Sequence, residues 1–517
     1  MRCIKTNMQK YLLVLIMAVA LLIVSCTSEN QSIKKNDKNL VKADVLLLNE
    51  AKASQSVELS NGDIFHLDAR PVKKKIEDII IKMYAYNGQI PGPLLKVNQG
   101  STIFINFTNN IDADTTIHWH GIRLENKFDG VPNITQLPVK PSESFLYKLD
   151  FPDEGVYWYH THLREDLQQE LGLYGNIFVE PKDINYFNSV DKEVFLFLDD
   201  IKMAKGDVDI FRGDFARFAL MGRFGNVMML NGETDYKLNL KRGEIVRFYL
   251  TDSANTRTFN FSIEKHKLKL VGSDSGKFEK EELKDSVIIS PAERYIVEVL
   301  FDQEGTFNII HRTPSKTYVL GTITVSQNEI NNNVNFYSLK ENNDIKENID
   351  KFKKYFDKKP DFEIDLTVYM GSMQMEHGMM QMESNEEIEW EDDMTSMNAM
   401  TTSKNIKWII KDKKTGKENM DINYKVKVGE IKKIRIFNDP KSMHPMQHPM
   451  HLHGQRFLVL GIDNKPTENF AWKDTVLVPK GSTVDILIEF TNPGDWMMHC
   501  HIAEHLESGM MSMFMVT

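Results

Sequence analysis

An all-β chain of three consecutive sandwiches is what the sequence predicts, and three observations carry that reading. The chain has 517 residues, too many for one hydrophobic core and enough for about two to four domains. One pattern of strand, glycine turn and alternating strand occurs three times. Asn87-Gly-Gln-Ile-Pro-Gly-Pro runs into Leu95-Lys-Val-Asn-Gln-Gly100, Asn231-Gly232 leads to Leu238-Asn-Leu-Lys-Arg-Gly243, and Tyr424-Lys-Val-Lys-Val-Gly429 repeats the second half. A second element recurs with it, a turn ending in glycine followed by a largely apolar strand and a histidine: Glu154-Gly155-Val-Tyr-Trp-Tyr-His160, Glu304-Gly305-Thr-Phe-Asn-Ile-Ile-His311 and Pro493-Gly494-Asp-Trp-Met-Met-His499. Repeats on the scale of a domain, short alternating strands and few helical periods together argue for antiparallel sandwiches.

The elements follow in order. Met1 to Lys10 is a charged start and Tyr11 to Val24 an apolar run, the pattern of a signal peptide, too short for a stable membrane span. Ile23-Val24-Ser25-Cys26 resembles the lipobox of bacterial lipoproteins, so residues 1–25 are expected to be a signal peptide and Cys26 to carry a lipid. Residues 26–44, rich in Ser, Lys and Asn, read as a flexible tether between that lipid and the folded body. The first sandwich is expected over 45–183 and the second over 184–330. A polar stretch rich in Asn and Lys, 331–360, reads as the linker to a third sandwich over 361–517. Composition is ordinary for a globular protein, 41% hydrophobic and 26% charged, and the net charge of -10 argues against nucleic acid and suits a protein that handles cations.

Chemistry concentrates around one thiol. Of three cysteines, Cys3 and Cys26 lie in the targeting segment, so no disulfide can staple the mature fold and Cys500 is either an inert buried thiol or a ligand. It stands in His499-Cys500-His501-Ile-Ala-Glu-His505-Leu-Glu-Ser-Gly-Met510. A thiolate with an imidazole five residues on and a thioether ten residues on supplies the donors of a blue-copper electron-transfer site. Side chains alternate along a strand, so His499 and His501 share a face opposite to Cys500, and one segment can address two metal sites.

Three further clusters match it. Together with the Cys500 segment, His118-Trp-His120, His160-Thr-His162 and His448-Pro-Met-His451-Leu-His453 bring ten of the fifteen histidines into four groups. These segments resemble the four copper-binding motifs of the multicopper oxidases, which include laccases, ascorbate oxidase and the periplasmic cuprous oxidases. The resemblance implies three cupredoxin domains, that is, Greek-key β-sandwiches, and four copper ions. It implies His448, Cys500, His505 and Met510 on a type 1 copper, His118 and His451 on a type 2 copper, and His120, His160, His162, His453, His499 and His501 on a coupled type 3 pair. The middle unit has only Asn255-Thr-Arg-Thr-Phe-Asn-Phe and His311 at the matching places, so it is expected to bind no copper. The three-metal cluster then draws its ligands equally from the first and third units and must lie where they meet.

The family pattern also suggests roles at its edges. Asp129 matches an acidic position near the three-metal cluster of bacterial members and is expected to donate protons or orient water. Several relatives carry Glu after the second type 1 histidine, where this chain has Leu506, which puts a proton route through that position in doubt. Met510 as a weak axial donor implies a low type 1 potential. Nine methionines fall between Met370 and Met400. Thioethers select Cu(I), so Met373, Met375, Met379, Met380 and Met382 in the 370–400 loop, with Met443 and Met446 before His448, are candidate Cu(I) sites. The expected function is an exported, lipid-anchored, monomeric oxidase that couples oxidation of Cu(I), phenols or aromatic amines to reduction of O2, in copper tolerance. The alternative is an envelope protein of the same fold that sequesters copper with little turnover.

Overall fold

A computed structural model describes residues 44–517 apart from residues 210, 212, 331–334 and 372–385. The expected signal peptide, the expected tether bar its last residue, Cys26 and the candidate ligands Met373, Met375, Met379, Met380 and Met382 lie outside the described residues. Three sandwiches follow one another, each of two facing sheets. In the first, Ile79–Tyr86, Ile64–Ile76, Thr102–Asn109 and Ser144–Asp150 face a sheet ordered Ser56–Leu59, Leu94–Asn98, Tyr174–Glu180, Gly155–His160, His118–His120. The other two each pair a six-stranded with a five-stranded sheet. Burial alternates along Thr102–Asn109, as expected of a strand with one face on a core. Each sandwich encloses its own apolar cluster.

The sheets are mixed where the repeats suggested antiparallel ones. Leu94–Asn98 runs parallel to Tyr174–Glu180, Lys192–Ile201 to Glu244–Asp252 and Phe362–Met370 to Ile431–Asn438. Connections that cross from one sheet to the other bring the chain back in the same direction, and local alternation carries no record of that.

Residues 335–360 hold more regular structure than a polar linker. Asn343–Asp350 is an α-helix whose Ile349 packs, with Phe352, against Leu458, Leu460, Phe470 and Trp472 of the third sandwich. Asn342 starts it by donating to the Phe278 carbonyl of the second sandwich at 2.7 Å. The short segment therefore glues two units together.

Candidate metal centre

Strand register assembles the histidines. His118–His120 pairs with Gly155–His160 so that His118 stands opposite His160, and His448–Leu452 pairs with Gly494–Cys500 so that His451 faces His499 and Met450 faces Cys500. Two strand pairs from opposite ends of the chain meet, and their rings interleave. His118 and His453 have ring centres 4.0 Å apart, His120 stacks on His451 at 3.7 Å, and His501 lies 5.1 Å from both His120 and His160. His162, His453 and His499 bring their Nε2 atoms together, 3.4 Å and 2.9 Å from the middle one.

The second site lies inside the third sandwich. Cys500 Sγ is 3.5 Å from His448 Nδ1 and 3.8 Å from His505 Nδ1, and those nitrogens are 3.3 Å apart. One ion at the centre of that triangle reaches all three donors. Met510 is fully buried, and its carbonyl accepts from the Cys500 N–H while its own N–H donates to the His505 carbonyl. Trp408 stacks on His505 at 4.1 Å and meets His448 edge-on at 4.9 Å. Its indole N–H donates to the Ala219 carbonyl at 2.7 Å, so the middle of the chain holds the ring that walls this site.

Whether the residues fit metal is answered by their unpaired atoms. His118 Nε2, His120 Nδ1, His160 Nε2, His451 Nε2 and both ring nitrogens of His501 are buried without a hydrogen-bond partner, a costly state for polar atoms unless something else binds them. In most of these rings the other nitrogen is anchored. His118, His160, His451 and His499 direct Nδ1 at the carbonyls of Asp129, Thr161, Asp474 and Cys500, at 2.7 to 2.9 Å. His120 is turned the other way, its Nε2 3.1 Å from both Asp474 Oδ1 and Thr475 Oγ1. An anchored N–H fixes the tautomer and aims the bare nitrogen, the outer-sphere arrangement of metal-binding histidines. The donor set fits copper: trigonal His2Cys with a methionine nearby in one site, all-imidazole in the other.

Asp129 is fully buried; its Oδ2 lies 2.8 Å from His453 Nδ1 and its Oδ1 3.3 Å from His118 Nδ1. It orients two rings at once. Gly130 makes this possible: at φ +83° a Cβ there would sit 1.8 Å from the Ile117 carbonyl oxygen. Leu506 packs with Val131 and Met497 in an apolar cluster, so that side of the site is apolar. Acids gather elsewhere. Glu165 Oε1 lies 3.3 Å from His162 Nδ1, and burial pushes Glu504 up to about 7.

Asp474, Glu165 and Trp408 escaped the sequence reading. Glu165 stands three residues after His162 and opens the short helix Glu165–Gln168. The other two carry no local pattern. In the middle sandwich, the segment that replaces the histidines serves the third. Asn255 and Thr256 donate to the Glu504 carboxylate at 3.2 Å, and the Asn255 carbonyl accepts from Ala503 N–H. Arg257 is paired with Asp200 at 2.6 Å.

Burial holds nine of these imidazoles neutral. His448 is pushed down to about 3 and His499 to about 4, chiefly by desolvation, and His120, His160, His162, His451, His453, His501 and His505 lie well below 6.5 for the same reason. Burial pushes the Cys500 thiol up, so a metal must displace its proton. Below pH 6.5 the unfolded chain binds more of these protons than the folded one, so stability is full above pH 6.5 and lost as the pH falls toward 3 to 4. The melting temperature of the copper-free protein is expected to fall steeply over that window, and more steeply still with copper bound, because copper binding releases protons and weakens as the pH falls. Calorimetry across pH checks this; parallel curves for the two forms would count against it.

Three sandwiches, of which the first and third carry one mononuclear His2Cys site and one polynuclear imidazole site between them, define a copper protein of the blue-oxidase class. Residues 71–199, 213–339 and 373–517 each match multicopper oxidase domain families, and the chain belongs to the multicopper oxidase family. It is 26% identical over 442 residues to a multicopper oxidase of Staphylococcus aureus, covering 84% of this chain and 83% of that one. Among solved structures it resembles a Campylobacter jejuni multicopper oxidase described as a metallo-oxidase (TM-score 0.66, 24% identity, 91% and 98% covered). It also resembles a laccase-like enzyme from Ochrobactrum sp. described as active towards lignin model compounds (TM-score 0.69, 21% identity, 90% and 100% covered). The chain is thus a copper-dependent oxidoreductase with oxygen as acceptor.

Proposed function

We propose that the physiological donor is Cu(I), with phenols and aromatic amines as lesser donors, and that the enzyme serves copper tolerance from a lipid-anchored position outside the cytoplasm. His448, Cys500, His505 and Met510 hold the type 1 copper, His118 and His451 the type 2, and His120, His160, His162, His453, His499 and His501 the type 3 pair. Copper bound there supplies one-electron transfer at the first site and four-electron reduction of oxygen to water at the others. The chain supplies the wiring: the Cys500 thiol faces one site while its two neighbours face the other, so three consecutive residues join them. Asp129 holds His118 through its carbonyl and His453 through its Oδ2, and its Oδ1 is buried without a hydrogen-bond partner.

One observation carries the donor reading. His444 Nε2 lies 2.8 Å from Met221 Sδ, on the approach to His448. Met443 is 51% exposed, His444 half-buried and Met446 fully buried. Thioethers select Cu(I) and imidazole suits copper, and here burial deepens along the chain from Met443 to Met446, two residues before His448. The fold alone does not choose the donor, since its solved neighbours carry both descriptions.

Met221→Leu is expected to lower the ratio of Cu(I) to phenol oxidation rates by about tenfold, the size of one lost ligand contact of about 1.4 kcal/mol. An unchanged ratio refutes the donor assignment. Copper-loaded protein that consumes no oxygen with either donor would instead favour the sequestering role.

A further inference from the structure

The copper-free middle sandwich reaches the three-metal site through one side chain. Arg294, on Arg294–Phe301 of that sandwich, has no exposed surface. Its Nη1 donates to Asp474 Oδ1 at 2.6 Å and its Nη2 to Asp474 Oδ2, a bidentate grip on a third-sandwich carboxylate. Its Nε donates to the Val156 carbonyl of the first sandwich at 2.9 Å, and Nη1 also to the Ala292 carbonyl at 3.0 Å. Asp274 backs the pair, accepting from the Arg294 N–H at 2.9 Å and the Asp474 N–H at 3.2 Å. Lys473 lies 3.4 Å from Asp274 and 3.2 Å from Glu293. One guanidinium thus touches all three sandwiches.

The carboxylate it grips faces the metal site. Asp474 Oδ1 is 3.1 Å from His120 Nε2, and the Asp474 carbonyl is 2.8 Å from His451 Nδ1. His120 consequently presents Nδ1, where His118, His160 and His451 present Nε2. Space is kept for this at Gly121: a Cβ there would lie 2.3 Å from Asp474 Oδ2 and 2.9 Å from Arg294 Nη2. Planar bidentate Arg–carboxylate pairs fix orientation as well as charge, which a lysine cannot reproduce in full.

We propose that Arg294 is a positioning residue for the three-metal site. It holds Asp474 so that His120 is protonated on Nε2 and offers Nδ1, and the middle sandwich is retained as the part that sets this ring. The inference rests on the ligand assignment above, and wild-type protein separates the two: four coppers with an intense blue band support the assignment whatever the variants do.

The test uses full-length copper-loaded Arg294→Gln, Arg294→Lys and Asp474→Asn, read by copper content, blue absorbance and the electron paramagnetic resonance of the non-blue copper. The type 1 ligands do not touch Arg294, so the blue band reports folding. Arg294→Gln is expected to keep that band while copper affinity at the three-metal site falls about 10- to 100-fold, with Arg294→Lys recovering part of the loss. A blue Arg294→Gln protein with full copper content and an unchanged non-blue signal overturns the proposal. Should Arg294→Gln lose the blue band as well, Asp474→Asn decides, because it leaves the Arg294 bonds to Val156 and Ala292 intact. Full copper with an unchanged non-blue signal in that variant overturns the proposal, and an altered signal upholds it.

Discussion

Replacing Cys500 by serine is expected to give a colourless protein with oxygen uptake at background. The substitution exchanges a soft sulfur, 3.5 and 3.8 Å from two imidazoles, for a hard oxygen that does not support a blue-copper site. It also cuts the path between sites, since the thiol is the only part of the His499-Cys500-His501 run that faces the triangle with His448 and His505. The three-metal ligands should survive. His499 is held opposite His451 by backbone pairing and by its own bond to the Cys500 carbonyl, neither of which involves sulfur. Absorption should lose the blue band while non-blue resonance and about three coppers per chain remain. Sustained oxygen uptake with Cu(I) or a phenol would sink the two-site model of the Cys500 segment.

Stripping copper should loosen the whole molecule, not just empty a pocket. Ligands from 118 to 162 and from 451 to 501 interleave across one interface, so ions there clamp the two ends of the chain. Each ion bound at a thousandfold excess over its dissociation constant stabilises by about 4 kcal/mol. At a few degrees per kcal/mol, removal should lower the melting temperature by on the order of 10 °C per ion. Proteolysis should then cut first between the first and third sandwiches' contact surfaces. Calorimetry with and without a chelator reads the effect; a shift confined to a degree or two would mean that the buried charges around Arg294 and the packing of Asn343–Asp350 already carry the interface.

Much of this was legible before any coordinates. The H-x-H spacing survives translation into structure because strands put alternate residues on one face, and register then sets His118 against His160 and His451 against His499. The three-fold repetition of strand and turn was equally plain, since glycine turns and alternation are local properties. Asp129 was legible as a position but not as a contact: its hold on His453, 324 residues away, has no local trace. The packed helix inside the linker left no trace for a related reason. Ile349 and Phe352 are two apolar residues in a polar run, and only the surface they cover explains them.

The sequence by itself determined the metal, the class of chemistry and the fold, because donor softness, ligand spacing and strand period are carried by neighbouring residues. The tertiary structure alone decided what surrounds the ligands. Asp474 and Arg294 turn His120 over, Trp408 walls the thiolate site, and Met221 meets His444 from more than two hundred residues away. Each of these is a single side chain set by packing between sandwiches, and contacts between surfaces so distant in the chain leave no periodicity to read.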